Sequence, residues 1–228
     1  MTCIWLSGDG RMGAALGRLI DDAGLARAAD LTEADVVIDY SHPDWTEPLV
    51  RQLLDAPRPL LVGTTGLPST VQADIEALAR DVPVVIAANT GTGINILKRL
   101  VAEAVRLAGP GWDIEVLEMH HRKKVDAPSG TAWMLLETAG DRDRAVASRV
   151  GETGARTDDE IGIQSLRGGD VVGEHTVYLV GHGERIELTH RAWDRDTFAR
   201  GGLRAALWLA SGQAPGLYDM NDVLGIDG

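Results

Sequence analysis

The residues with the clearest chemical capacity run from Glu118 to Ala132, EMHHRKKVDAPSGTA, where five potentially cationic side chains, His120 to Lys124, stand in succession. Histidine titrates near neutrality, so His120 has the chemistry to pass a proton, and Lys124 to donate one or neutralise developing charge. The residues that follow read as a helix starting at about Ser129, with Pro128 in its first turn. Free backbone N–H groups at Ser129, Gly130 and Thr131 would form a carboxylate or phosphate site, and Gly130 would let the ligand come close. A run of charge is usually a solvated loop. This one ends in a helix-start anion site.

A second constellation is made of glycine. Gly8-Asp9-Gly10-Arg11-Met12-Gly13 is a G-x-G-x-x-G that directly follows a β-rich run and opens an amphipathic stretch. Glycines there allow a tight turn and close approach of a pyrophosphate, whose charge meets unpaired N–H groups at the helix start. Gly63-Thr64-Thr65-Gly66 and Ala88-Asn89-Thr90-Gly91 each follow a predicted strand. Both loops would therefore lie at strand C-termini, where open parallel sheets bind ligands. Either loop taken singly is also a plain turn.

These loops need elements to hold them. Short β-like runs at Thr2–Ser7, Val36–Tyr40, Leu60–Gly63 and Val84–Ala87 alternate with amphipathic stretches, a pattern of parallel strands joined by crossover helices. Met12, Ala15, Leu16, Leu19 and Ile20 have helical spacing, as do Ile94, Leu97, Val101, Ala104 and Val105 before the stop at Gly109-Pro110-Gly111. Beyond a strand at Asp113–Glu118 the pattern changes. Runs at Glu160–Arg167, Val171–Val180 and Arg185–Trp193 suggest an antiparallel or mixed sheet, with a turn at Gly181-His182-Gly183. A last helix near Thr197–Ala210 and the tail Gly216–Gly228 would return to the first domain. The fold class is α/β: a Rossmann-type parallel-sheet dinucleotide domain, residues 1–89 and 203–228, plus a smaller α+β mixed-sheet domain, residues 90–202.

Composition narrows the class. With 228 residues, 44% of them hydrophobic, the chain can bury a substantial core. The balance of 22 basic against 34 acidic residues, net −12, opposes non-specific binding to nucleic acid or anionic membrane, so an anionic ligand needs a local basic site. Cys3 is the single cysteine, which leaves no intrachain disulfide or cysteine-held metal and fits a reducing compartment. No apolar run approaches the roughly 20 residues that span a bilayer, and the N-terminus lacks the features of a secretory signal. A cytoplasmic protein is expected.

The segment from Glu118 to Ala132 resembles the E-x-H-H-x-x-K-x-D-A-P-S-G-T-A segment of the dihydrodipicolinate reductase family. The likeness extends to Gly10–Gly13, Val62–Gly66, Ala87-Ala88-Asn89, Gly93–Asn95, Arg167, Asp170, Gly173–Val177 and Gly216–Met220. The resemblance implies an NADH- or NADPH-dependent reduction of a cyclic unsaturated dicarboxylate to tetrahydrodipicolinate, in lysine and diaminopimelate synthesis. By the same resemblance His120 is the proton donor or acceptor and Lys124 its partner acid. His121, Gly130 and Thr131 hold the substrate carboxylates. Gly8, Gly10, Arg11, Met12, Gly13, Gly63, Thr64, Thr65, Ala87, Ala88, Asn89 and Thr90 form the cofactor site. The second domain carries tetramer assembly, and no metal is expected. His175, within a β run, is expected to be a packed or hydrogen-bonded sheet residue.

Two departures stand out. Thr90 occupies a place where the family usually carries an aromatic residue, and the stretch from Ile20 to Val36 is short for the family. Asp30 follows Gly13 at close to the usual interval of roughly 20 residues and has the chemistry to accept from a ribose hydroxyl. Arg27 or Arg11 would meet the extra phosphate of NADPH. These opposing signals predict small discrimination between the two cofactors.

Overall fold

A computed structural model of the chain describes residues 1–226. In chain order, β1 (Cys3–Ser7), α1 (Arg11–Asp22), β2 (Ala26–Arg27), β3 (Val36–Asp39), α2 (Pro43–Asp55), β4 (Leu60–Val62), α3 (Ser69–Leu78) and β5 (Pro83–Ile86) lead into α4 (Thr92–Ala108). Next come β6 (Asp113–His120), α5 (Gly130–Ala139), β7 (Ala145–Val146), β8 (Ile161–Arg167), β9 (Gly173–Gly181) and β10 (Glu184–Ala192). The chain returns through α6 (Asp196–Ala210), β11 (Gly216–Tyr218) and α7 (Met220–Leu224).

Two compact units result, one of Met1–Thr92 with the chain from Asp196 onward, the other of Gly93–Arg195. The boundary expected between residues 202 and 203 falls inside α6. This helix belongs wholly to the first unit because Ala199, Ala205, Ala206 and Leu209 are buried in that unit's core.

The first unit is a six-stranded parallel sheet in the order β11-β5-β4-β3-β1-β2. Its central strands β3, β4 and β5 are buried on both sides, as parallel sheets require. On one face Ile4, Val36, Ile38, Leu61 and Val85 pack with Leu16 and Ile20 of α1 and with α6. On the other, Val37, Leu60, Val62 and Val84 pack with Leu49 and Leu53 of α2 and Val71 and Ile75 of α3. The tail does return to this unit, with β11 pairing β5 in parallel; its last two residues lie outside the described ones. The link from β2 to β3 is unusual. It passes β1 with only a single 3-10 turn, Leu31–Glu33, where a parallel crossover normally takes a dozen or more residues and a helix.

The second unit is a five-stranded mixed sheet, β10-β9-β6-β8-β7. Its centre, β6, runs parallel to β8 and antiparallel to β9. Strand alternation sends Ile114, Val116, Ile161, Ile163, Val177 and Leu179 against α4 and α5. Leu117, Met119, Leu166 and Thr176 lie on the opposite face, where Thr176 and Thr189 share a hydrogen bond.

Candidate active site

Parity along β6 builds the catalytic candidate. Residues two apart share a face, so Glu118 and His120 point the same way as the core residue Val116. Glu118 is fully buried, and a buried carboxylate must be met by donors. Four N–H groups meet it: His120 Nδ1 at 2.6 Å, Arg167 Nη1 and Nη2 each at 2.8 Å, and the backbone N–H of Ser129 at 3.1 Å. Burial opposes the charge of Glu118, but the hydrogen bonds from His120 and Arg167 outweigh it and hold the carboxyl well below the usual range.

This arrangement sets the chemistry of His120. Its Nδ1 donates to an acceptor-only carboxylate, so Nε2 is the nitrogen left to give or take a proton. Space beside that atom comes from Gly173, where a Cβ would lie only 3.1 Å from Nε2. His175 stands edge-on to His120, ring centroids 5.2 Å apart, and bonds Ser129 Oγ through Nε2 at 3.2 Å. Burial, with the nearby charge of His120, pushes its pKa down to about 3. His175 is therefore a neutral, packed and hydrogen-bonded sheet residue.

Ser129 joins this network to the helix. Its hydroxyl caps α5 by accepting from Ala132 N at 3.2 Å. The structure changes two details of the expected helix start. Pro128 follows a cis peptide and precedes the cap, so it is not in the first turn. The N–H of Ser129 is taken by Glu118, so a helix-start anion site would begin at Gly130. A Cβ at Gly130 would meet nothing within 4 Å, which leaves the approach open.

Lys124 pairs with Asp126, Nζ to Oδ1 2.8 Å, and keeps that carboxyl below its ordinary range. The basic loop is pinned from β8 and its following turn: Arg167 Nη2 donates to Asp126 O at 2.6 Å, and Arg122 N to Gly169 O at 3.2 Å. His121 and Thr131 are half-buried at the two ends of this loop, whereas Arg122 and Lys123 are exposed. Glu118, Ser129, Arg167 and Gly173 thus have roles that spacing alone did not assign. Parity would have put Glu118 beside His120. Nothing local would have brought in Arg167.

The first unit carries the cofactor candidates. Gly8 has φ +102° and a Cβ there would lie 2.5 Å from Tyr40 O. A Cβ at Gly13 would lie 1.9 Å from Gly8 O, whereas one at Gly10 would meet nothing. Two of the glycines close the turn, and the third opens it to a ligand. Gly10 caps α1 without a side chain, so no cap side chain takes the first N–H groups, as an anion site at a helix start would require. A cavity of about 360 Å³ beside the loop is lined by Gly8, Asp9, Gly13 and Arg27 among others. Arg11 is exposed, and Met12 packs toward the core. These features fit a bound dinucleotide.

The other loops divide. Gly63 is fixed by Tyr40, whose ring atom would lie 2.1 Å from an added Cβ. Thr64 is buried with its hydroxyl donating to Asp39 Oδ2 at 2.8 Å, while Thr65 is exposed. Ala87 is buried and Ala88 exposed, and Asn89 Oδ1 accepts from Gly91 N at 3.0 Å. Thr90 is buried, its hydroxyl donating to Phe198 O at 2.7 Å and accepting from Tyr40 at 2.6 Å. The side chains of Thr64 and Thr90 are therefore spent inside the protein, and only their backbone is left for a ligand.

The ribose readers also turn away. Asp30 caps the 3-10 turn, accepting from Thr32 N at 2.7 Å. Arg27 pairs with Asp21 and donates to Gly17 O at 2.7 Å.

Two family profiles match most of the chain: "Dihydrodipicolinate reductase, N-terminus" over residues 24–90 and "Dihydrodipicolinate reductase, C-terminus" over residues 93–224. A 4-hydroxy-tetrahydrodipicolinate reductase of Myxococcus xanthus (strain DK1622) is 50% identical over 206 residues, 88% of this chain and 76% of that relative. One from Akkermansia muciniphila is 45% identical over 234 residues, covering 95% of each chain. Among solved structures, a dipicolinate-bound dihydrodipicolinate reductase from Paenisporosarcina sp. TG-14 shares the fold, with TM-score 0.75 at 19% identity over 96% of this chain and 97% of that one.

Proposed function

Because the chain belongs to the dihydrodipicolinate reductase family, we propose that it reduces the cyclic dicarboxylate derived from 4-hydroxy-tetrahydrodipicolinate to tetrahydrodipicolinate, a step of lysine and diaminopimelate synthesis. It is an oxidoreductase that uses a nicotinamide dinucleotide. When bound, the reduced nicotinamide supplies a hydride to the unsaturated ring. The observation that carries the reading is the buried Glu118 carboxylate, which joins His120 to the start of α5.

In this reading, Glu118 fixes His120 with Nδ1 protonated, so that Nε2 delivers the proton the reduced ring requires. Lys124, steadied by Asp126, donates to or neutralises the substrate where negative charge develops. Gly130 and Thr131 at the start of α5, with His121, hold the carboxylates. The loop Gly8–Gly13 holds the pyrophosphate, with Arg11 at its rim. Gly63, Thr64 and Thr65, with Ala87, Ala88, Asn89 and Thr90, border the nicotinamide half, Thr64 and Thr90 through their backbones.

The finer assignments follow the same chemistry. The chain works in the cytoplasm as a homotetramer, joined through the outer face of the second sheet. Leu166, 48% exposed on that face, is the kind of apolar surface a second copy would cover. Light scattering that finds only monomer at micromolar concentration would remove the assembly. The reaction is tested by following nicotinamide absorbance with freshly prepared 4-hydroxy-tetrahydrodipicolinate. Substrate-dependent oxidation of NADH or NADPH is expected, and none with either cofactor would sink the reading.

A further inference from the structure

The short link between β2 and β3 leaves a space that the rest of the first unit does not fill. Leu31 and Ala34 of that link pack with Trp5 and Leu49 on the α2–α3 face, but they reach only part of it. Toward the C-terminal end of β1 lies a cavity of about 800 Å³, inside the range of roughly 300–1,000 Å³ typical of small-molecule pockets. Its walls include Gly8, Asp9 and Gly10 of the glycine loop on one side, and Trp45, Pro48 and Leu49 of α2 on the other. Trp5 lies against it and against the core.

Trp45 is 70% exposed in the first turn of α2. A lone exposed apolar side chain needs no explanation. An indole on the wall of a cavity that the pyrophosphate loop also bounds has a specific use. A base at one end of a dinucleotide is a flat aromatic ring, and stacking on an indole is the usual way to hold one without reading its sequence of donors. His42 and Gln52 on the same walls supply polar atoms for the edge of a base.

Two of the alternative anchors, Asp30 and Arg27, are occupied. The carboxylate of Asp30 is turned to Thr32, and the guanidinium of Arg27 is shared between Asp21 and Gly17. Neither Asp30 nor Arg27 is therefore set up to grip the adenosine half in this chain.

Resting on the reading of the first unit as a dinucleotide site, we propose that Trp45 positions the adenine base, and that this stacking contact is the main anchor of the adenosine half. The test is a binding measurement, independent of turnover. Calorimetric affinities for NADH, ADP-ribose and reduced nicotinamide mononucleotide are compared in the parent, Trp45→Ala and Trp45→Phe, with thermal melting to check the fold. Trp45→Ala should weaken NADH and ADP-ribose by about tenfold, the scale of one base–aromatic stack, and leave the mononucleotide unchanged. Trp45→Phe, which keeps an aromatic face, should stay within about threefold of the parent. Parent-like binding of NADH by Trp45→Ala, or an equal loss for all three ligands, would overturn the assignment. A parent protein that binds none of them would overturn the dinucleotide reading as well.

Discussion

The glycine loop of the first unit and the histidine network of the second solve the same problem, holding negative charge, by opposite means. Around Gly8, Gly10 and Gly13 the site is made by leaving side chains out, so that backbone N–H groups and a bare helix start face the ligand. Around Glu118 it is made by burying side chains and pairing every charge: four N–H groups on one carboxylate. The first kind is damaged by adding atoms, the second by removing them.

The contrast is sharpest at His120. His120→Ala or Lys124→Ala should lower turnover by about a hundredfold to ten-thousandfold, the usual contribution of general acid catalysis, while cofactor affinity is retained. Steady-state kinetics beside a binding titration checks this, and near-normal turnover in both variants would remove the proton-transfer roles.

Next in size is Glu118→Gln. It leaves the Arg167 guanidinium without its buried counter-charge, and breaking such a pair costs on the order of 3 kcal/mol. The change also has a pH signature. The folded pKa of Glu118 lies below its ordinary value near 4.5. Its contribution is therefore complete above that value and is lost progressively as the pH falls from it toward the lower, folded one. Urea melts between about pH 3 and 6 should show the parent losing stability toward acid, with that part of the slope absent in Glu118→Gln. Identical slopes would mean that the carboxylate is not held as described.

Gly13→Ala tests the other mode. The added Cβ would lie 1.9 Å from Gly8 O, so the loop must move, at a cost of roughly 1–3 kcal/mol. Weaker cofactor binding is expected with His120 and its neighbours undisturbed, and a variant that binds NADH like the parent would show the loop to be a plain turn.

The smallest effect is cofactor choice. With Arg27 and Asp30 engaged within their own unit, neither dominates. Specificity constants for NADH and NADPH should agree within about tenfold, or roughly 1.4 kcal/mol. A preference beyond about a hundredfold would show that one charged residue does control the site.

This last case shows where sequence reading ends. The interval from Gly13 to Asp30 suggested a ribose contact, but a two-residue β2 followed by a single 3-10 turn makes Asp30 a cap. The apolar runs of β1, β3, β4 and β5 were legible because a parallel sheet buried on both faces demands them. The α2 helix escaped notice: it contains Pro48 as well as Pro43 at its start, and proline inside a helix removes a bond that the pattern would otherwise imply. In the site, His120, Lys124 and Gly130 could be named from one continuous segment. Arg167 reaches Glu118 from a neighbouring strand, and only the β6–β8 register brings them together.

The return of α6 and β11 to the first unit has a consequence for how the chain is made on the ribosome. β5 has no partner on one edge until Gly216–Tyr218 emerges, and Ile4, Leu16 and Val85 lack the cover of Ala199, Ala205 and Leu209 until α6 does. At roughly 5–20 residues per second, synthesis of everything between takes on the order of ten seconds. During that interval a bare sheet edge and an apolar face wait in the open, and the second unit, continuous in sequence, has all it needs to fold once Arg195 is made, before α6 and β11 follow. The half that is begun first is thus the half that is finished last, and it is this half that would engage a chaperone on the nascent chain.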